Sequence, residues 1–191
     1  MNDITIKSIR ESIAVKQAIL TDDGFLEKIN RAAQILIETF RRDGKVLFCG
    51  NGGSAADAQH IAAELSGRFY TDRPPLYAEA LHVNTSYLTA VANDYGYDHV
   101  FARMVEAAGR PGDVLVAIST SGNSTSVLNA IEKARARDMA VIGLTGATGG
   151  RMTGLCTLLL NVPSGDTPRI QEAHILIGHI LCEAVEKSIF G

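Results

Sequence analysis

His60 and Glu64 stand four residues apart in the stretch "FCGNGGSAADAQHIAAELSG" (48–67). On a helix that spacing puts both on one face. An imidazole and a carboxylate held together can move a proton or bind a divalent cation. Near the end of the chain, "DTPRIQEAHILIGHILCEAVE" (166–186) offers Gln171, Glu172, His174 and His179. Gln171, Ile175 and His179 step by four along one stripe. His60, Glu64, Gln171 and His179 together could supply N and O ligands to a zinc-like divalent ion. Eight residues separate Gln171 from His179, roughly 12 Å along a helix axis. Either long side chains converge across that span or a neighbouring subunit supplies a ligand. Each spacing by itself is also what a surface pair gives. The loop just upstream of His60 adds weight.

That loop, Asn51-Gly52-Gly53-Ser54, has glycines that permit close backbone approach and positive φ. Ser54 starts a helix whose free N–H groups favour an anion, or acts only as an N-cap with Asp57 as its partner. A second loop, "STSGNS", places Ser119, Thr120, Ser121 and Ser124 around Gly122. One cap explains one hydroxyl, not four. Four hydroxyls with backbone N–H groups suit a phosphate monoester. No Gly-Lys-Ser/Thr of a P-loop is present. Gly50-Asn51-Gly52-Gly53-Ser54-Ala55 does fit the dinucleotide pattern G-x-G-x-x-A, but the next apolar run ends in Leu81-His82-Val83, with no acid for a ribose. Asn93-Asp94 reads as a polar pair for sugar hydroxyls or as the turn "NDYG". Arg68 could reach a phosphate or be a solvated helix end, and Cys49 reads as core.

These residues need a scaffold that brings loop ends together. Two helical patterns, 4–20 and 23–42, lead the chain. Five apolar runs follow, at 45–50, 76–82, 113–119, 139–145 and 157–162, alternating with helical segments. Such alternation predicts a doubly wound α/β fold, a five-stranded parallel sheet flanked by helices, with an N-terminal helical extension. Three of the runs end in "NGGS", "STSGNS" and "GATGG", so one rim of the sheet is a binding edge. Thr167 and Pro168 read as N-cap and first residue of a last helix reaching about 188. No linker or charge block divides the chain, so 1–191 reads as one domain, with 1–43 as leading helices.

Composition narrows the class of function. A net charge of −3 among 191 residues leaves no basic footprint for nucleic acid or anionic membrane. No apolar run approaches a membrane span, and "MNDITIKSIRES" is polar where a secretory signal is apolar. Three cysteines, without metal-finger spacing, fit reduced thiols in the cytoplasm.

Taken together, "GNGGSAADAQHIAAELSGRF", "AVANDYGYDHVFARMVEAAGRPGDVLVAISTSGNSTSVL", "GLTGATGG" and the final helix resemble the phosphoheptose isomerases of the sugar isomerase (SIS) superfamily. The resemblance spans essentially the whole chain. It implies conversion of D-sedoheptulose 7-phosphate to D-glycero-D-manno-heptose 7-phosphate, the entry step to the heptose of bacterial surface polysaccharide. It also implies a cytoplasmic homotetramer with sites at subunit contacts. On the matching positions it implies Glu64 and His179 as the acid–base pair. Zinc, one per subunit, would sit on His60, Glu64, Gln171 and His179. Asn51, Gly52, Gly53, Ser54, Glu64, Asn93, Asp94, Ser119, Thr120, Ser121, Ser124 and Gln171 would line the substrate pocket. Two other classes compete. Similar SIS proteins bind a replication initiator without catalysis, but lack a carboxylate at the position of Glu64. A sugar-phosphate sensor needs no acid–base pair.

Overall fold

The computed structural model describes residues 2–191. Helices α1 (Asn2–Leu20) and α2 (Asp23–Arg41) precede β1 (Val46–Gly50), α3 (Gly53–Ser66), β2 (Ala78–Ala80) and α4 (Thr85–Tyr95). A 3-10 turn (Tyr97–His99) leads into α5 (Val100–Ala108), then β3 (Val114–Ile118), α6 (Thr125–Arg135) and β4 (Ala140–Thr145). A second 3-10 turn (Gly150–Met152), β5 (Leu158–Asn161) and α7 (Thr167–Phe190) complete the fold. The strands form one parallel sheet in the order β2-β1-β3-β4-β5. The expected doubly wound architecture is present.

Strand residues alternate between two cores, because successive side chains point to opposite faces. Val46 and Phe48 of β1 join the core under α2, α3 and α7. Leu47 and Cys49 join the core under α4, α5 and α6. Both faces are covered, so β1, β3 and most of β4 read as unbroken apolar runs rather than alternating ones. Helix α2 shows why a helix forms where it does. Asp22 accepts a hydrogen bond from Phe25 N–H at 3.0 Å, and Phe25, Ile29, Leu36 and Phe40 bury one stripe.

The leading helix behaves differently. Ile6, Ile9, Ile13 and Leu20 of α1 are 46–63% exposed in the single chain. Arg169 ties α1 to α7 by donating to the carbonyl of Ser8 at 2.7 Å, while its other nitrogen meets Glu172 at 2.6 Å.

Four boundaries depart from expectation. The run at 76–82 contributes only Ala78–Ala80 as strand. Leu76 N–H is committed to the carbonyl of Leu65 at 3.2 Å, so this edge segment enters the sheet late. Ser54 is not an N-cap: Gly52, at φ +56°, takes that place, and Ser54 is buried inside the helix. Thr167 is not an N-cap either, since Asp166 holds the extended cap conformation and Thr167 and Pro168 follow it. "NDYG" is not a turn at Asn93-Asp94. Both belong to the last turn of α4, and the chain reverses at Gly96, φ +88°.

Candidate active site

The order 2-1-3-4-5 makes the gap between β1 and β3 a point where successive connections leave on opposite faces, a place where α/β sheets bind ligands. A cavity of about 380 Å³ lies there. Asn51, Gly52, Gly53 and Ser54 line one wall, and Ser119, Thr120, Ser121 and Ser124 the opposite one. Thr167 and Gln171 of α7 close a third side. The two polar loops singled out in the sequence thus face one space.

Three helix N-termini converge on that space, those of α3, α6 and α7, and none has a side-chain cap. Helices α2 and α4, whose N-termini lie elsewhere, are capped by Asp22 and Asn84, while α5, also elsewhere, has no side-chain cap. Uncapped N–H groups and the positive ends of three helix dipoles favour an anion without any lysine or arginine. The hydroxyl loop is braced from behind. Gly122 adopts φ +66°, and a Cβ there would run into the carbonyl of Gly149. Met152 N–H donates to the carbonyl of Gly122 at 3.2 Å, and Arg151 N–H to the side chain of Asn123 at 3.0 Å.

One level further along the same helices lies the second group. Gly53 packs on Gln171, and Ile61 on Gly178, so α3 and α7 run side by side in the same direction. His60 and His179 therefore meet edge to face, ring centroids 5.1 Å apart. Glu64 lies 3.2 Å from His60 Nε2. Donor atoms of His60, Glu64 and His179 fall within 4.8 Å of one another. Two imidazoles and a carboxylate at that separation fit a zinc-like divalent ion. Gln171 sits against Gly53 and lines the hydroxyl cavity.

Asn93 and Asp94 are exposed at the end of α4, Asn93 donating to Asp94 at 2.8 Å, and they do not line the cavity. Their segment nevertheless reaches it through Tyr97, whose hydroxyl donates to Asn51 Oδ1 at 2.8 Å. Several neighbours carried no sequence signal. Ser126 accepts from Asn51 at 3.0 Å, and Phe69 tilts over His179 at 5.7 Å. Phe69 is held in turn by Glu186, which accepts from the N–H groups of Phe69, Tyr70 and Thr71 and from Arg73 at 2.8–3.2 Å. Desolvation pushes the Glu186 carboxyl up, but those donors outweigh it and hold it below the usual range.

Comparison with known proteins follows the same lines. The family model described as SIS domain matches residues 10–146. A phosphoheptose isomerase of Aneurinibacillus thermoaerophilus is 52% identical over 190 residues, spanning 100% of this chain and 96% of that protein. The chain belongs to the phosphoheptose isomerase family. The phosphoheptose isomerase of Rhodospirillum rubrum is 60% identical over 161 residues, 84% of this chain and 86% of its own. The solved phosphoheptose isomerase of Neisseria gonorrhoeae superposes with a TM-score of 0.91 at 47% identity, covering 97% of this chain and 98% of that one. Among the described residues, no helix of this phosphoheptose isomerase family member is long and apolar enough to cross a membrane.

Proposed function

We propose that the chain is an aldose–ketose isomerase that converts D-sedoheptulose 7-phosphate to D-glycero-D-manno-heptose 7-phosphate. One observation carries this reading: an anion cavity and a His/Glu/His group lie on the same two parallel helices. Ser54 and His60 are six residues apart, about 9 Å of helix axis. A sugar chain whose phosphate rests among Ser119, Thr120, Ser121 and Ser124 extends its carbonyl end toward Glu64 and His179. Asn51, Gly52, Gly53, Ser54 and Gln171 line its path, and Asn93 and Asp94 serve sugar hydroxyls at the rim.

The reaction moves one proton from C1 to C2 through an enediol, while the C1 oxygen loses a proton and the C2 oxygen gains one. No electrons leave the substrate. Between them Glu64 and His179 remove the proton at C1 and return one at C2, a role suited to a carboxylate and an imidazole. Zinc, one per subunit, would be held by His60, Glu64, Gln171 and His179. When bound, it would supply Lewis-acid stabilisation of developing negative charge.

The chain forms one domain over 1–191, and residues 1–43 join copies into a homotetramer with sites at subunit contacts. It works in the cytoplasm and feeds heptose into surface polysaccharide. Incubation with sedoheptulose 7-phosphate and identification of the product tests the reading. Formation of the aldose supports it, and absence of turnover with any ketose phosphate favours the initiator-binding class instead.

A further inference from the structure

We propose that Tyr97 is a positioning residue that fixes the direction of the hydrogen bonds at the phosphate-binding serine, Ser124. The proposal rests on the reading of the hydroxyl cavity as the phosphate site. Tyr97 Oη lies 2.8 Å from Asn51 Oδ1. An amide oxygen only accepts, so the phenol donates. A phenol is a better donor than acceptor, so this contact favours the amide orientation that turns Nδ2 toward the serines. Its Nδ2 then gives one hydrogen to Ser124 Oγ at 2.7 Å and the other to Ser126 Oγ at 3.0 Å. Ser126, 2% exposed, stands 3.3 Å from Ser124 and completes the cluster.

With Ser124 Oγ accepting from Asn51, its own O–H can turn to a ligand when Ser126 supplies the hydrogen of the 3.3 Å contact between the two hydroxyls. Ser124 lines the cavity, and a phosphate there needs donors only. The polarity runs from Tyr97 through Asn51 to Ser124 and on to the ligand. Without the phenol, Asn51 can turn its amide over and present Oδ1 to the serines. Ser124 would then spend its hydrogen on Asn51 and turn a lone pair toward the anion. Tyr97 is well placed for this task although 47% exposed. Gly96 at φ +88° reverses the chain just before it, its ring rests edge-on against Phe101, and Asn129 donates to the carbonyl of Asp98 at 2.9 Å.

The test uses Tyr97→Phe, Asn51→Ala, the double variant and Ser124→Ala, with inorganic phosphate as a competitive probe. Tyr97→Phe is expected to raise both KM and the phosphate inhibition constant by about 3- to 10-fold, with kcat and Tm close to wild type. In the Asn51→Ala background the same change is expected to cost nothing further, because the relay is already cut. Additive losses would mean that Tyr97 touches the ligand directly, and would overturn the relay. Normal phosphate affinity in Tyr97→Phe, beside a weakened Ser124→Ala, would overturn the relay and leave the phosphate site standing. Normal affinity in Ser124→Ala would overturn both.

Discussion

His179 packs its ring against His60 at 5.1 Å although 119 positions separate them in the chain, and Glu64 stands 3.2 Å from His60 on the same helix face. This meeting depends on the parallel run of α3 and α7, with Ile61 against Gly178 one residue away. It places the donor atoms of two imidazoles and a carboxylate within 4.8 Å of one another.

Metal content should follow from that trio. Protein purified without chelator is expected to carry up to about one zinc per chain, and His60→Ala should lower the content further. Elemental analysis before and after chelation reads this directly. Failure of added zinc to bind or to restore activity would remove the metal role and leave only acid–base chemistry.

The hydroxyl loop makes a separate claim. Ser119→Ala and Ser121→Ala are each expected to weaken substrate binding by on the order of 1 kcal/mol or more, about fivefold in KM, with the fold intact. Unchanged KM in both variants would move the phosphate elsewhere.

Much of this was legible in the residues, for physical reasons. Strands buried on both faces must be continuously apolar, so β1, β3 and β4 stood out. Loops that approach an anion need glycine and hydroxyls, so residues 51–54 and 119–124 stood out too. His60 and Glu64 were local neighbours on a helix. The Tyr97–Asn51 bond and the docking of Phe69–Arg73 on Glu186 were not legible. They join positions 46 and more than 110 residues apart, and nothing local marks the pairing. Caps failed at Ser54 and Thr167 because a serine or threonine before a helix signals a cap by habit. Here neither helix start carries a side-chain cap.

Acid should loosen the fold in two windows. His174 is fully buried on α7, its Nε2 3.3 Å from the carbonyl of Thr145. Burial pushes its pKa down to about 4, against the hydrogen bond to Thr145. The unfolded chain takes that proton near 6.5, the folded one only near 4, so stability falls as pH drops between those values. Glu186 is held below the usual carboxylate range, so its contribution is present above about 4.3 and lost as pH falls through the lower folded value. Thermal melts should show a shallower decline from pH 6.5 to 4 in His174→Gln. A slope equal to wild type would contradict the assignment. Glu186→Gln should already lose about 3 kcal/mol at neutral pH by leaving the buried Arg73, still bonded to backbone carbonyls, without a counter-charge.

The exposed seam of α1 bears on assembly. Ile6, Ile13 and Leu20 recur every seven residues with Ile9 between them, the spacing of a helix–helix seam. Ile9→Glu with Ile13→Glu is expected to reduce the molar mass seen by light scattering and to lower activity if the sites lie at subunit contacts. An assembly of unchanged size would place the contacts elsewhere, and a fully active wild-type monomer would remove the need for them.

Turnover of sedoheptulose 7-phosphate in deuterated water, followed by NMR, tests the isomerase mechanism most directly when wild type and Glu64→Gln are run side by side. The wild type is expected to place solvent deuterium on C1 or C2, as proton transfer through an enediol requires. The variant keeps the size of the side chain but loses its basic carboxylate, so kcat should fall by roughly 10²–10⁴-fold, with Tm little changed. Product without label in the wild type, or full activity in Glu64→Gln, would contradict the account.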